Sequence, residues 1–481
     1  MEKPETSGAS TDKISVPALV AMVVGSMVGA GIFNLPGRFG QATGPFGALI
    51  AWAIAGTGMY MLARVFQAMA ERRPDIDAGV FAYAKAGFGD YTGFLSAFGY
   101  WLGSCLGNVF YWVLIGTTLG TFFPAFGTGD TVVSIALSLV GIWSFHTMIL
   151  RGVQQAAAIN FVVTIAKIVP LILALILMVI AFHWDQFAAN FWGGIDMPEK
   201  SLVAQVRDTM LITVFVFIGI EGASVYSRYA RTRADVGTAT ILGFVAVTGL
   251  MVAITLLPYA YMPRADIAAL RQPSLAGALE AATGPWGATF ISVGVLISVL
   301  GAYLAWSLIC AEVLFAASKS KDMPSIFSRE NANKVPANAL WASNLVVSAF
   351  VISTYWSADA FNFMLDMASV TSLLPYLLVA GYGVLLTRDT RAYAGDPAET
   401  WRDRAFSWAA VVYVLVMFLA AGVKYLLLVT VLLAPGTLLY VWSRREQRAR
   451  LFTRAELAIF AVVMVAALIG TAGLLTGRIT P

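Results

Sequence analysis

The stretch VVGSMVGAGIFNLPG, residues 23–37, decides how the rest of the chain is read. It is apolar enough to lie in a membrane, yet it carries Gly25, Gly29, Gly31 and Gly37, with Pro36 near its end. Glycine and proline are the weakest helix formers. A membrane-sized segment that gathers them at its middle is predicted to break at Gly29-Ala30-Gly31. A break inside a bilayer strands N–H and C=O groups, each at a cost of several kcal/mol in hydrocarbon. It is tolerable where a ligand or water supplies the missing partner.

Composition supplies the setting. The 481 residues are 59% hydrophobic and only 12% charged, with a mean hydropathy of +0.77. Ordinary globular domains carry about 25% charged residues. Half that charge, with apolar runs of about 20 residues, implies an all-α membrane protein whose partner is the lipid bilayer. Apolar runs between charged or Pro/Gly-rich breaks predict about thirteen spans. The first is 15–37, the fifth 153–182, the sixth 207–228 and the tenth 361–386. The last three are 406–422, 425–442 and 456–475. Residues 1–13 are polar and read as a disordered cytoplasmic N-terminus. The apolar stretch after them is too long for a signal core and should remain as the first span.

Several function classes drop out. The net charge of +4 is too small and too scattered for a nucleic-acid partner. Cys105 and Cys310 lie in separate apolar segments and give neither a disulfide framework nor a metal spacing, so both read as packing residues. His146 and His183 are isolated. With no H-E-x-x-H or similar cluster, neither an enzyme nor a cofactor or metal site is expected.

Placing the N-terminus inside leaves most of the 31 Lys and Arg residues on the inner side, as the positive-inside rule requires. A second interrupted segment then appears. Ile218-Gly219-Ile220-Glu221-Gly222 breaks the sixth span as Gly29-Ala30-Gly31 breaks the first, with four spans between them. Spans five and ten correspond as well: Thr164, Lys167 and Pro170 fall at the offsets of Ser369, Ser372 and Pro375. An odd number of spans per repeat inverts the second copy. Residues 14–182 therefore read as one five-helix repeat and 206–387 as its inverted copy, with accessory helices over 405–476. Inverted repeats that each open on a broken helix point to a transporter with its site at the midplane. Glycines can also serve only to let helices pack closely.

The breaks suggest their ligand. The half-helix after Gly31 offers free N–H groups and a positive dipole end, which suits a carboxylate. Carbonyls at the end of the preceding half-helix suit an ammonium group. Two facing breaks make a receptor for an amino acid zwitterion. The predicted donors lie around Ala30 and Gly31, and the predicted acceptors around Met27, Phe215 and Ile218. Charged groups within spans are costly and mark function. Glu221 adjoins the second break and Lys167 lies deep in span five, so both are candidates for gating or proton coupling. Asp366 and Glu312 read better as local caps or pairs. The rings of Phe215 and Trp306 could cover a bound side chain, Trp306 favouring a cation over its face, or could simply fill the core. Ser104 and Asn108, one helical turn apart, could bond a ligand's distal group or a neighbouring helix.

These residues also carry a resemblance. GSMVGAGIFNLP resembles the first helix of the amino acid–polyamine–organocation superfamily. FIGIEGASVYSRYARTRADVGTATILGF resembles the sixth-to-seventh-helix region of its basic amino acid/polyamine antiporter family, as do WLGSCLGN, YLAWSLICAEVLFAASKSKDMP and SLLPYLL elsewhere. The similarity runs from about residue 15 to 475 and looks closest to bacterial arginine/ornithine antiporters. It implies a LeuT-type fold of two inverted five-helix repeats, a homodimer in the bacterial inner membrane, and exchange of cationic amino acids by alternating access. It further implies that Glu221 takes part in pH sensing or gating and that Ser104, Asn108 and Trp306 line the side-chain pocket. Phe215 stands where arginine/agmatine exchangers of the family carry tryptophan, and Ser104 where they carry cysteine. Lys167 matches a lysine that replaces a sodium ion in a proton-coupled member of the superfamily. A proton-coupled permease, for neutral amino acids among others, is therefore the alternative reading.

Overall fold

The computed structural model describes residues 16–73, 75–76, 80–152, 156–193, 200–220, 233–357, 359–389, 392–393 and 397–479. The described secondary structure is helical. The first segment is split into α1 (Val16–Met27), a 3-10 turn (Ala30–Asn34) and α2 (Leu35–Ala42). Then come α3 (Pro45–Arg72), α4 (Val80–Phe88), α5 (Asp90–Phe122), α6 (Val132–Leu150), α7 (Ala156–Ile180), α8 (Trp184–Asn190) and α9 (Leu202–Phe217). After the second break follow α10 (Arg233–Leu256), α11 (Arg264–Ala269), α12 (Ser274–Thr283), α13 (Pro285–Lys319), α14 (Ala337–Ser353) and α15 (Ala360–Leu386). The chain ends with α16 (Pro397–Glu446) and α17 (Arg454–Leu475).

Local chemistry sets many of these boundaries. Pro45 and Pro285 open α3 and α13, where a missing N–H costs nothing. Side chains of Thr131, Ser201 and Asp359 cap α6, α9 and α15 by accepting N–H bonds. Thr453 and Glu456 form a reciprocal capping box on α17.

Among the described residues, nine helices are long and apolar enough to cross a membrane, or ten if the bent pair Lys167–Ile180 and Trp184–Asn190 is one span. The differences from thirteen have physical causes. The first and sixth segments are interrupted, which leaves α1 with 12 residues and α9 with 16. The expected spans 406–422 and 425–442 lie in two helices that part at Gly422 (φ 78°, ψ 167°) and follow one another closely enough to count as the single run α16.

The centre of the molecule is α5, which packs on α13, α14, α15 and α16. Its apolar window is 89% buried, against 17% for α17. Leu, Val and Ile side chains point outward from α16 and α17, as lipid-facing surfaces require. Buried polar side chains bridge helices: Trp52 Nε1 donates to Thr255 Oγ1 at 3.2 Å and Trp101 Nε1 to Ser343 Oγ at 2.9 Å.

Candidate functional site

The first break lies where the glycines predict it. α1 stops at Met27, the Gly29 N–H donates to the Met27 carbonyl at 2.9 Å, and Gly29 is extended (φ −100°, ψ −169°). The 3-10 turn that follows is buried throughout. Ala30 and Gly31 open it, and no preceding turn supplies acceptors for their N–H groups. The carbonyl end of α1 is served from within the protein. Lys167 Nζ on α7 donates to the Gly25 carbonyl at 2.7 Å and to the Val28 carbonyl at 3.1 Å. A cation at a helix C-terminus is electrostatically favoured, and Lys167 is itself buried.

The second break is described on one side. α9 ends at Phe217, and turns close with Ile218 N–H on the Phe215 carbonyl (3.2 Å) and Ile220 N–H on the Phe217 carbonyl (3.1 Å). Gly219 has φ +107°, which a residue with a Cβ rarely adopts. Glu221 and Gly222 lie outside the described residues, as does the chain up to residue 232.

The two breaks touch. A Cβ built on Gly31 would stand 2.8 Å from Phe215 Cδ1 and 2.8 Å from Val216 Cγ1. Between them lies a cavity that is partly open to solvent. Met27, Gly29, Ala30 and Gly31 line it from the first break, and Phe215, Val216 and Ile218 from the second. Trp306 of α13 closes another side, and Ala368 and Ser372 of α15 a third. α5 contributes Tyr100, Gly103, Ser104, Gly107 and Tyr111. Gly107 has open space where a Cβ would be. The Phe215 ring is braced edge-on by Phe110 at 4.9 Å.

The predicted residues thus divide. Met27, Ala30, Gly31, Ser104, Phe215, Ile218 and Trp306 share one cavity. Asn108 does not line it: its Nδ2 lies 3.5 Å from Cys310 Sγ on α13, and its Oδ1 is buried without a partner. Ser104 Oγ donates back to the Tyr100 carbonyl at 2.8 Å. Lys167 sits behind the first break. Asp366 pairs with Arg38 at 2.7 Å and accepts from Tyr425 OH at 3.0 Å, while Glu312 is exposed. His146 Nδ1 lies 2.9 Å from Asn344 Nδ2. Among the described residues, no group of three or more His, Cys, Asp or Glu side chains converges as a metal would need.

Of the α5 wall the sequence reading named Ser104 and missed Tyr100, Gly103, Gly107 and Tyr111. Tyr100, Ser104, Gly107 and Tyr111 recur at spacings of four and three, which is one helix face. That stripe was visible in WLGSCLGN and its flanks, but nothing local says that it faces a cavity.

Residues 14–424 match the family described as amino acid permease. The chain is 46% identical to the arginine/ornithine antiporter of Pseudomonas aeruginosa, over 98% of this chain and all of that one. It is 39% identical to the L-lysine transport protein of Corynebacterium glutamicum, over 98% and 97% of the two chains. It is 34% identical to the arginine/agmatine antiporter of Chlamydia abortus, over 96% and 97%.

Proposed function

The chain belongs to the amino acid permease family, and from that premise we propose that it exchanges cationic amino acids, arginine against ornithine first among them, across the bacterial inner membrane by alternating access. The names of its relatives favour exchange over a proton-coupled permease. One observation carries the site: the end of α9 and the break after α1 meet at a cavity that Ala30 and Gly31 help to line.

In this reading the substrate carboxylate accepts from those N–H groups, at the positive end of the second half-helix. The α-ammonium binds carbonyls around Met27, Phe215 and Ile218. Gly31 keeps the backbone reachable. Phe215 covers the side chain from one side and Trp306 receives its cationic end over the indole face. Ser104 serves the distal group from the α5 wall, whereas Asn108 stands behind that wall against Cys310 and takes no part in this reading. Glu221 gates or couples to protons.

Residues 14–182 and 206–387 act as inverted five-helix repeats within thirteen spans, with 405–476 as accessory helices, the N-terminus cytoplasmic and two copies forming a dimer. Such repeats move as bodies around a fixed midplane site. Lys167 occupies the carbonyl end of α1 with its amino group, where half-helix termini in such transporters coordinate coupling ions.

Proteoliposomes loaded with ornithine should take up labelled arginine much faster than empty ones. Equal rates into both would overturn obligatory exchange. The Lys167 contacts also keep a proton-coupled permease testable: accumulation driven by an inward proton gradient without internal substrate, and lost in Lys167→Ala, would replace the exchange reading.

A further inference from the structure

Far from the cavity, two turns of the chain meet at one end of the bundle. α13 ends at Lys319, and α16 ends at Glu446 before the turn into α17. Both helices close in the same way. After α13, the Lys321 N–H donates to the Ser318 carbonyl at 3.0 Å and the Asp322 N–H to the Ala317 carbonyl at 2.8 Å. After α16, the Arg448 N–H donates to the Arg445 carbonyl at 3.1 Å and the Ala449 N–H to the Arg444 carbonyl at 3.0 Å. This is the Schellman closure, whose left-handed position usually holds glycine. Here it holds cations, Lys321 at φ 64° and Arg448 at φ 51°. Hydrogen bonds join the two turns: Ser443 Oγ and Gln447 Nε2 donate to the Lys321 carbonyl at 3.1 and 2.8 Å.

Five cations gather there. Lys321, Arg445, Arg448, Arg450 and Arg454 are exposed, and among the described residues none of them makes an ion pair. The carboxylates of these segments are engaged elsewhere. Asp322 pairs with Lys85, Glu446 accepts the Ser325 N–H, and Glu456 accepts the N–H groups of Tyr91 and Thr453. Asp90 holds Arg444, which also donates to the Arg450 carbonyl and so fixes the turn. The patch borders lipid. Leu438 and Trp442 on α16 and Leu457 on α17 are 74%, 46% and 52% exposed, on helices long and apolar enough to cross a membrane, and indole rings collect at headgroup depth. A cation at a helix C-terminus is favoured by the dipole alone. That does not account for left-handed backbone at both Lys321 and Arg448, and it works against Arg454, which opens α17.

We propose that Lys321, Arg445, Arg448, Arg450 and Arg454 form a site for the headgroup phosphate of an anionic phospholipid, which clamps the end of α13 to the α16–α17 turn. Arginine forks match phosphate oxygens two at a time, and lysine adds a point charge. A bilayer lipid is the occupant because its acyl chains lie along the outward apolar faces that flank the patch, so one molecule satisfies both the charge and the apolar surface. Each cation beside an anionic bilayer is worth about fivefold in affinity. Glycine would relax the backbone at positions 321 and 448, so the cations stand there at a cost to the fold. The site is independent of what the protein transports.

The test titrates the full-length protein in detergent with phosphatidylglycerol or phosphatidylcholine and reads bound lipid by native mass spectrometry beside the melting temperature. Phosphatidylglycerol should bind saturably, at least about tenfold tighter than phosphatidylcholine, and raise the melting temperature. High salt should shrink the difference. Lys321→Gly and Arg448→Gly should each melt no lower than the parent in phosphatidylcholine, yet bind phosphatidylglycerol about fivefold more weakly. The double variant Arg445→Gln, Arg454→Gln should lose the preference without touching either left-handed position. Removing two exposed cations at the end of α6 and in the loop that packs there, Arg151→Gln with Lys334→Gln, should leave it intact. The proposal is overturned if both lipids bind alike, if the glycine variants keep the full preference, or if the Arg151 and Lys334 variant loses as much as the Arg445 and Arg454 variant. Equal stabilisation by free glycerol 3-phosphate would assign the patch to a soluble phosphate and overturn the lipid.

Discussion

Gly31 and Gly29 are two residues apart and differ sharply in what they tolerate. A methyl group at Gly31 meets Phe215 and Val216 at 2.8 Å, whereas at Gly29 the nearest atom is Tyr111 OH at 3.9 Å. Phe215 cannot yield freely, because Phe110 braces its ring. Overpacking of this kind costs about 1–3 kcal/mol, roughly a 5- to 150-fold loss of affinity if taken from the bound state. Gly31→Ala should therefore weaken arginine binding and Gly31→Leu abolish it, with Gly29→Ala much milder. Scintillation proximity binding on purified protein checks the ranking, and normal affinity in Gly31→Leu would remove the assigned carboxylate site. Lys167 permits a second forecast. Truncating it strands one buried and one part-buried carbonyl, with hydrogen bonds to a charged group worth about 1.5–3 kcal/mol each. Lys167→Ala should lower the melting temperature in detergent more than substitutions at the exposed Glu312.

At the level of elements, three helices are joined by one ion pair. Arg38 on α2 meets Asp366 on α15, and Tyr425 on α16, just past the Gly422 break, donates to the other carboxylate oxygen. Both charged side chains are largely buried, 12% and 8% exposed. Removing one partner of a buried pair costs about 3–5 kcal/mol, because the other is left unpaired, whereas removing both costs less than the sum. Arg38→Ala and Asp366→Ala should each lower thermal stability strongly, and the double variant little more than either. Simple additivity would show that the contact is not coupled. A packing limit appears between α3 and α16. A Cβ on Gly58 would overlap the Tyr413 ring, so Gly58→Val should cost about 1–3 kcal/mol by overpacking, seen as a lower melting temperature.

Across the whole molecule, charge and pH give the readouts. Exchange of two monocations moves no net charge, so it should ignore an imposed potential, whereas net uptake of one cation would respond at about 2.3 kcal/mol per 100 mV. Stability has its own pH signature in the turn after α13. Asp322 is buried there, and Lys85 Nζ reaches its Oδ1 at 2.7 Å. Asp90 and Arg444 stand beside that pair. Burial raises the Asp322 carboxyl from 3.8 to about 6 against the opposing pull of Lys85. A folded-state value above the unfolded one means that folding takes up a proton between them. The contribution of Asp322 to stability is thus fully present below about pH 4 and lost as pH rises through about 6. Asp322→Asn should flatten the dependence of melting temperature on pH across that window. An unchanged slope would assign it to other groups.

The interruptions, the helical segments and the membrane setting were determined by the sequence itself. Lipid forces every backbone group to find a partner, so apolar length and glycine position are local signals with few outcomes. The same locality lets seven of the eight candidate residues fall around one cavity, because they lie in or beside the breaks or on one face of a span. Tertiary structure decided who meets whom. Lys167 caps a helix 139 and 142 residues earlier, Arg38 finds Asp366 across 328 residues, and Asn108 turns to Cys310 rather than into the cavity. Those partners depend on how α5, α7, α13 and α15 pack around one another, and no spacing within a single helix encodes that packing.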